Sequence, residues 1–137
     1  MTWYYNDEPF EPGEEDVGFV YRITRLDTGR AYIGKKNLWK TVTRPPLKGK
    51  KRKRRSVAES DWREYWGSNK TLQGEVADLG QDKFRRDVMR VCQSKAEMSY
   101  YEAKFQLVFD VLLRDDYYND FVGCKIHRAH LKKMRDA

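Results

Sequence analysis

Residues 18–36, Gly-Phe-Val-Tyr-Arg-Ile-Thr-Arg-Leu-Asp-Thr-Gly-Arg-Ala-Tyr-Ile-Gly-Lys-Lys, read as two short strands joined by a turn. Val17, Phe19, Tyr21 and Ile23 alternate with less apolar positions, and Ala31 to Gly34 is a second β-prone run. Asp27-Thr28-Gly29 supplies the turn, with Gly29 free to take positive φ. A loop with an even number of residues, Asp27-Thr28 or Leu26 to Gly29, pairs Tyr21 with Gly34 and Ile23 with Tyr32. Both phenols then share one side of the hairpin, diagonal to each other, whereas a three-residue loop would put them on opposite faces. Two phenols beside a bare glycine, followed by Lys35 and Lys36, read either as ordinary sheet aromatics or as a site.

The length of 137 residues suits one domain over 1–137 with a single core. Charged residues make up 36% and hydrophobic ones 39%, so a heavily charged surface surrounds a modest core. No apolar run approaches a membrane span and no basic-then-apolar leader opens the chain, so a soluble, cytoplasmic protein without a membrane partner is expected. Cys92 and Cys124 form no CxxC pair. Cys124, His127 and His130 drift around a helix and offer no fourth partner, which argues against zinc. The net charge of +7 is local: of 28 Lys and Arg, eight lie between Arg44 and Arg55 without an acid, leaving 20 against 21 acidic residues elsewhere. Such concentration favours a grip on a polyanion.

Around the hairpin, residues 1–16 place Trp3, Tyr4, Tyr5 and Phe10 among six acids. They are expected to form an arm that packs its aromatics on the domain; a sharper alternative has the acids fold over the basic loop and compete with nucleic acid. Pro45-Pro46 prevents a continuous helix in the insertion at 44–55, which is expected to be an extended loop. Its Lys48, Lys50, Lys51, Arg52, Lys53, Arg54 and Arg55 are candidate phosphate contacts, giving salt-sensitive and largely sequence-independent binding. Residues 56–66 suggest a short helix capped by Ser60, then Gly67-Ser68-Asn69 breaks the chain and caps a helix from Lys70 to Leu79, ended by Gly80. Phe84 to Cys92 alternates as a third strand, with Phe84, Arg86 and Val88 on one side.

Ser94 and Glu97 form a capping box for a long helix expected to reach Leu113, with Met98, Tyr101, Phe105, Val108, Phe109 and Leu112 as its buried stripe. Glu102 lies on or beside that stripe, where a carboxylate is costly unless it meets a cation or a metal. Asp115-Asp116-Tyr117-Tyr118-Asn119-Asp120 reads as a turn, and 121–137 as a basic tail.

Phe19-Val20-Tyr21, ten residues, then Tyr32-Ile33-Gly34 resembles the signature of the GIY-YIG nuclease superfamily. The first triplet departs mildly from Gly-Ile-Tyr, while its tyrosine and the spacing agree. The order of hairpin, helices, third strand, glutamate-bearing helix and Tyr-Asn extends the resemblance from Val17 to Asn119. Pro45 to Lys51 and Glu59-Ser60-Asp61-Trp62 are similar to small phage-encoded members described as Seg-like homing endonucleases. The resemblance implies an α+β fold, a three-stranded antiparallel sheet flanked by helices, with a long basic loop after the second strand. It implies a divalent-metal-dependent endonuclease hydrolysing double-stranded DNA, in the host bacterium if phage-encoded. Glu102 would hold one Mg²⁺ or Mn²⁺ per active site, Tyr21 assisted by Tyr32 would orient or deprotonate water, and Asn119 would buttress the site. A phenol needs nearby positive charge to act as a base near neutrality, from Lys35 or Lys36. The family's phosphate-binding arginine has no clear counterpart; Arg63 is carried in that role, with Lys36 as an electrostatic substitute. A double-strand break would require a homodimer or a second binding event. The alternative is a catalytically silent nucleic-acid-binding module that keeps the basic loop.

Overall fold

The computed structural model describes residues 1–52, 54–123, 128–131 and 134. Lys53 among the expected DNA contacts, and Cys124 and His127 among the zinc candidates, lie outside the described residues, as do the side chains of Arg54 and Arg55.

The chain forms β1 (Trp3–Tyr5), β2 (Glu8–Pro9), β3 (Gly18–Arg25), β4 (Ala31–Asn37), β5 (Trp39–Arg44), β6 (Arg54–Glu59), α1 (Lys70–Leu79), β7 (Phe84–Cys92) and α2 (Lys95–Val108). The β3–β4 hairpin has the even loop: Arg25 N donates to Arg30 O across Leu26–Gly29, and Tyr21 faces Gly34 while Ile23 faces Tyr32. β7 pairs antiparallel with β3 on the other side, skipping Met89 between the partners of Val20 and Tyr21. That extra residue makes a bulge.

The sheet is larger than expected. It has five strands in the order β2-β1-β7-β3-β4 and is mixed, because β1 joins β7 in parallel. The antiparallel trio of the expectation is its β7-β3-β4 portion. The extra strands come from the N-terminal arm, whose Trp3 and Phe10 are buried and whose Trp3 Nε1 donates to Trp62 O. Arg86, buried on β7, locks this layer. Its guanidinium lies between the rings of Trp3 and Trp66 and donates to the carbonyls of Met1, Arg63 and Tyr65. Burial pulls its pKa down to about 10, so the charge persists at neutral pH and the carbonyls must carry it.

Period-two alternation gives the sheet two apolar faces. Phe19, Tyr21, Ile23, Phe84 and Val88 pack with Leu72 and Val76 of α1 and with Trp62. Val20, Ala31 and Ile33 pack with Met98 of α2 and with Val111. Asn69 caps α1 by accepting from Leu72 N, and Ser94 caps α2 by accepting from Glu97 N.

Three further expectations are corrected. Residues 56–66 are not a helix: Arg54–Glu59 pairs with Trp39–Arg44 as a separate two-stranded ribbon, followed by a 3₁₀ turn at Trp62–Glu64. Ser60 does not cap it, because its hydroxyl donates to Asn37 O. The basic insertion is therefore a hairpin with its tip at 45–52, not one extended loop. Finally, α2 stops at Val108, because Asp110 takes φ 51° and turns the chain so that Val111 is buried. Val108 and Leu112, expected in the stripe, are exposed.

Candidate active site

β4 is an edge strand, so a site built on it is reached from beside the sheet. The segment after α2 runs along that edge. Ala31 N donates to Asp116 O and Tyr118 N donates to Ala31 O. Asn119 grips Ile33 at both backbone atoms, donating to its carbonyl at 2.8 Å and accepting from its amide at 3.1 Å. Gln106 of α2 donates to the same carbonyl at 2.9 Å. The Tyr-Ile-Gly strand is thereby fixed from two sides by buried amides.

Beyond these contacts the two faces of the sheet meet in a cavity of about 380 Å³, lined by Tyr32, Lys35, Ser68, Asn69, Glu102, Gln106, Asn119, Asp120, Phe121 and Gly123. Gly67, at φ 85°, turns the chain so that Ser68 and Asn69 reach it. The Tyr32 hydroxyl hydrogen-bonds Ser68 Oγ at 2.9 Å. Asn69, while capping α1, also donates to Tyr118 O. The side chain of Glu102 is 16% exposed, and its nearest cation, Lys35 Nζ, is 4.0 Å away. Burial pushes its pKa above the ordinary carboxyl value, while Lys35, by its ammonium and its backbone amide, pulls it partly back.

Tyr21 sits one layer deeper. Its ring is fully buried at 6.2 Å from Tyr32 and 6.0 Å from Tyr65, and its hydroxyl has no hydrogen-bond partner among the described residues. Gly34 makes that position available: a Cβ there would lie 2.5 Å from the Tyr21 oxygen and 2.9 Å from Tyr32 Cε1. Burial, and then the neighbouring Tyr65 and Tyr32, push the Tyr21 pKa well above 10. The Tyr32 pKa is also raised, chiefly by burial.

Among the expected site residues, then, Tyr32, Glu102 and Asn119 meet in one cavity, with Tyr21 packed behind Tyr32. Lys36 and Arg63 do not line it. Lys36 is on the α1 side of β4, where its ammonium pairs with Asp61 at 2.5 Å and lies 4.1 Å above the Tyr65 ring. Lys35, one residue earlier and so on the opposite face, is the lysine in the cavity. Arg63 stacks on Trp62 and is held by Glu11, in a two-pronged pair at 3.0 Å, and by Glu59 at 2.6 Å. Gln106, Ser68, Asn69 and Asp120 were missed. Gln106 carried one signal, an amide four residues after Glu102 on the same helix flank.

The lysines and Arg52 of the ribbon tip are exposed. Of the arm's acids, Glu11 pairs with Arg63 and Asp7 with Arg85.

A family model described as "Putative endonuclease segE, GIY-YIG domain" matches residues 3–122. The chain belongs to the SegE-type GIY-YIG family. No curated protein and no solved structure gave a match. In this GIY-YIG domain the two signature triplets, Phe19–Tyr21 on β3 and Tyr32–Gly34 on β4, meet at the Tyr21–Gly34 pair, and the match ends just past the residues that grip Ile33.

Proposed function

We propose that this domain is a divalent-metal-dependent endonuclease hydrolysing phosphodiester bonds of double-stranded DNA at the cavity beside β4. The observation that carries the reading is a carboxylate, Glu102, sheltered from water, without a hydrogen-bonded cation, facing a cavity shared with a phenol and a lysine. Family membership supports nuclease chemistry, and GIY-YIG nucleases generally use divalent metals.

The donor set fits a hard cation. Glu102 and Asp120 bring two carboxylates to the cavity lining, and one or two suffice for Mg²⁺, which retains most of its waters. Glu102 is assigned as the protein ligand for one Mg²⁺ or Mn²⁺. When bound, the ion would neutralise the phosphate's developing charge and acidify a water. Buried and without a hydrogen-bonded cation, Glu102 is short of positive charge, which a bound cation would supply.

The remaining roles fall to the chain itself. Lys35 supplies positive charge for the incoming phosphate, a point charge where an arginine would offer a fork. Tyr32 orients water through its hydroxyl, held by Ser68. The phenols serve as positioners rather than resting bases, because both pKa values move up rather than down. Tyr21 supports the Tyr32 ring from behind, and Asn119 and Gln106 hold the strand that carries Tyr32 and Lys35. The products would carry 5′-phosphate and 3′-hydroxyl ends. One site cuts one strand per visit, and a double-strand break would need a homodimer.

Supercoiled plasmid incubated with Mg²⁺ or Mn²⁺ tests the reading: wild type should nick it, and the Glu102→Ala variant should not. Among the described residues no guanidinium lines the cavity, which favours one rival, a silent DNA-binding module, with Arg63 occupied by two carboxylates. That rival predicts salt-sensitive binding with no nicking under either metal.

A further inference from the structure

The β5–β6 ribbon forms no pairing with the main sheet among the described residues and stands as its own two-stranded unit. Every residue of β5 except the half-buried Val42 is exposed, and Val57 on β6 is 72% exposed. Two strands alone are marginal in water, so this ribbon is a surface waiting to be covered. We propose that it enters the major groove of duplex DNA and biases where the domain cuts; the proposal rests on the nucleic-acid reading above.

Size decides the groove. Six paired residues span about 20 Å, and a two-stranded ribbon fits the major groove of about 12 Å but not the minor groove of about 6 Å. Charge decides the partner. From Lys40 to Ala58 there is no acid, and Lys40, Arg44, Lys48, Lys50, Lys51 and Arg52 flank the strands and tip, where phosphates would run. Chemistry decides what the middle of the ribbon can do. Thr41 faces Val57, and Thr43, two residues on along the same face, faces Arg55, so the middle of this face offers hydroxyls and methyls, with a basic position toward the tip and the Trp39–Glu59 pair at its base. Phosphate contacts position a protein without reading sequence, whereas threonine hydroxyls and apolar groups meet base edges and thymine methyls.

The ribbon is also mounted stiffly. Leu38, buried, is the single residue between β4 and β5; its amide donates to Val17 O and its carbonyl accepts from Ser60 N. Trp39 Nε1 donates to Asp16 O. Since β4 carries Tyr32 and Lys35, the seat of the ribbon in a groove sets which phosphate is presented to the cavity.

Competition and interference on the full chain test this, with methyl green as major-groove and netropsin as minor-groove competitor, and with dimethyl sulfate marking guanine N7 and adenine N3. The expected results are displacement by methyl green alone and interference at guanine N7. A variant with Thr41→Ala, Thr43→Ala and Val57→Ala should flatten the distribution of cut sites on random plasmid DNA, lowering the preference of strong over median sites by about 10-fold at equal extent of cutting. Displacement by netropsin alone, interference at adenine N3 alone, an unchanged cut-site distribution, or no duplex binding would each overturn the proposal. Loss of nicking with guanine N7 interference intact would instead refute the nuclease reading and leave the ribbon's role standing.

Discussion

At Glu102 the stability of the fold opposes the charge that the proposed function needs. Its folded pKa is raised, so its contribution to stability is present below 4.5 and is lost as pH rises through the shifted value. Replacing it with an isosteric neutral amide removes that loss. The Glu102→Gln variant is therefore expected to melt above wild type at pH 7, with the gap closing as pH falls below 4.5; differential scanning calorimetry across pH reads it. A lower melting temperature at pH 7 would mean the carboxylate is a structural partner of Lys35. Asn119, in the proposed site, acts by contrast through the backbone of Ile33, which it holds at both atoms. Asn119→Ala orphans the buried Ile33 amide and should cost about 1–3 kcal/mol by denaturant titration. Its cleavage rate should fall in kcat more than in KM, because Tyr32 is misplaced while the DNA-binding surface stays intact. Gly34→Ala meets the Tyr21 oxygen at 2.5 Å and should destabilise by about 1–3 kcal/mol, with loss of cleavage.

At the scale of elements, what the chain alone reveals follows from how local each signal is. The β3–β4 register was readable because turn length and alternation leave few pairings, and α1 and the start of α2 because Asn69 and Ser94 are side-chain caps. The ribbon was not: residues 54–59 acquire their state from pairing with residues 39–44, information that no local window contains. The arm's strands were hidden for the same reason, since β1 exists by joining β7, far along the chain. The end of α2 was overrun because an aspartate at positive φ leaves little trace in an apolar pattern. The cavity was half legible. Tyr32, Glu102 and Asn119 announce themselves by type and order, but which of two adjacent lysines faces it depends on an edge where two faces meet. Element-scale energetics give a further prediction: the ribbon is anchored at its base but pairs with no other strand among the described residues, so its tip should open readily and trypsin should cut free protein first at residues 48–52. Duplex DNA should protect those bonds, as digestion followed by mass spectrometry will read.

For the whole molecule, charge is arranged as two separate systems. The ribbon tip presents exposed cations, while Arg63 and Arg85 are bound to the arm's acids. Binding should depend steeply on salt. Changing Lys48, Lys50, Lys51 and Arg52 together to serine should reduce the slope of log K against log salt by up to about 3.6, or about 0.9 for each phosphate left unneutralised. Restoring affinity by lowering salt should restore cutting, if the tip binds and the cavity reacts as proposed. The most direct measurement of that division is single-turnover cleavage of a labelled duplex at saturating protein, titrated with Mn²⁺. For wild type the rate should rise and saturate with metal; for Glu102→Ala, with the complex equally formed, it should fall at least about 100-fold. A Glu102→Ala rate matching wild type across the titration would contradict the assignment of the cavity as the place where the bond is broken.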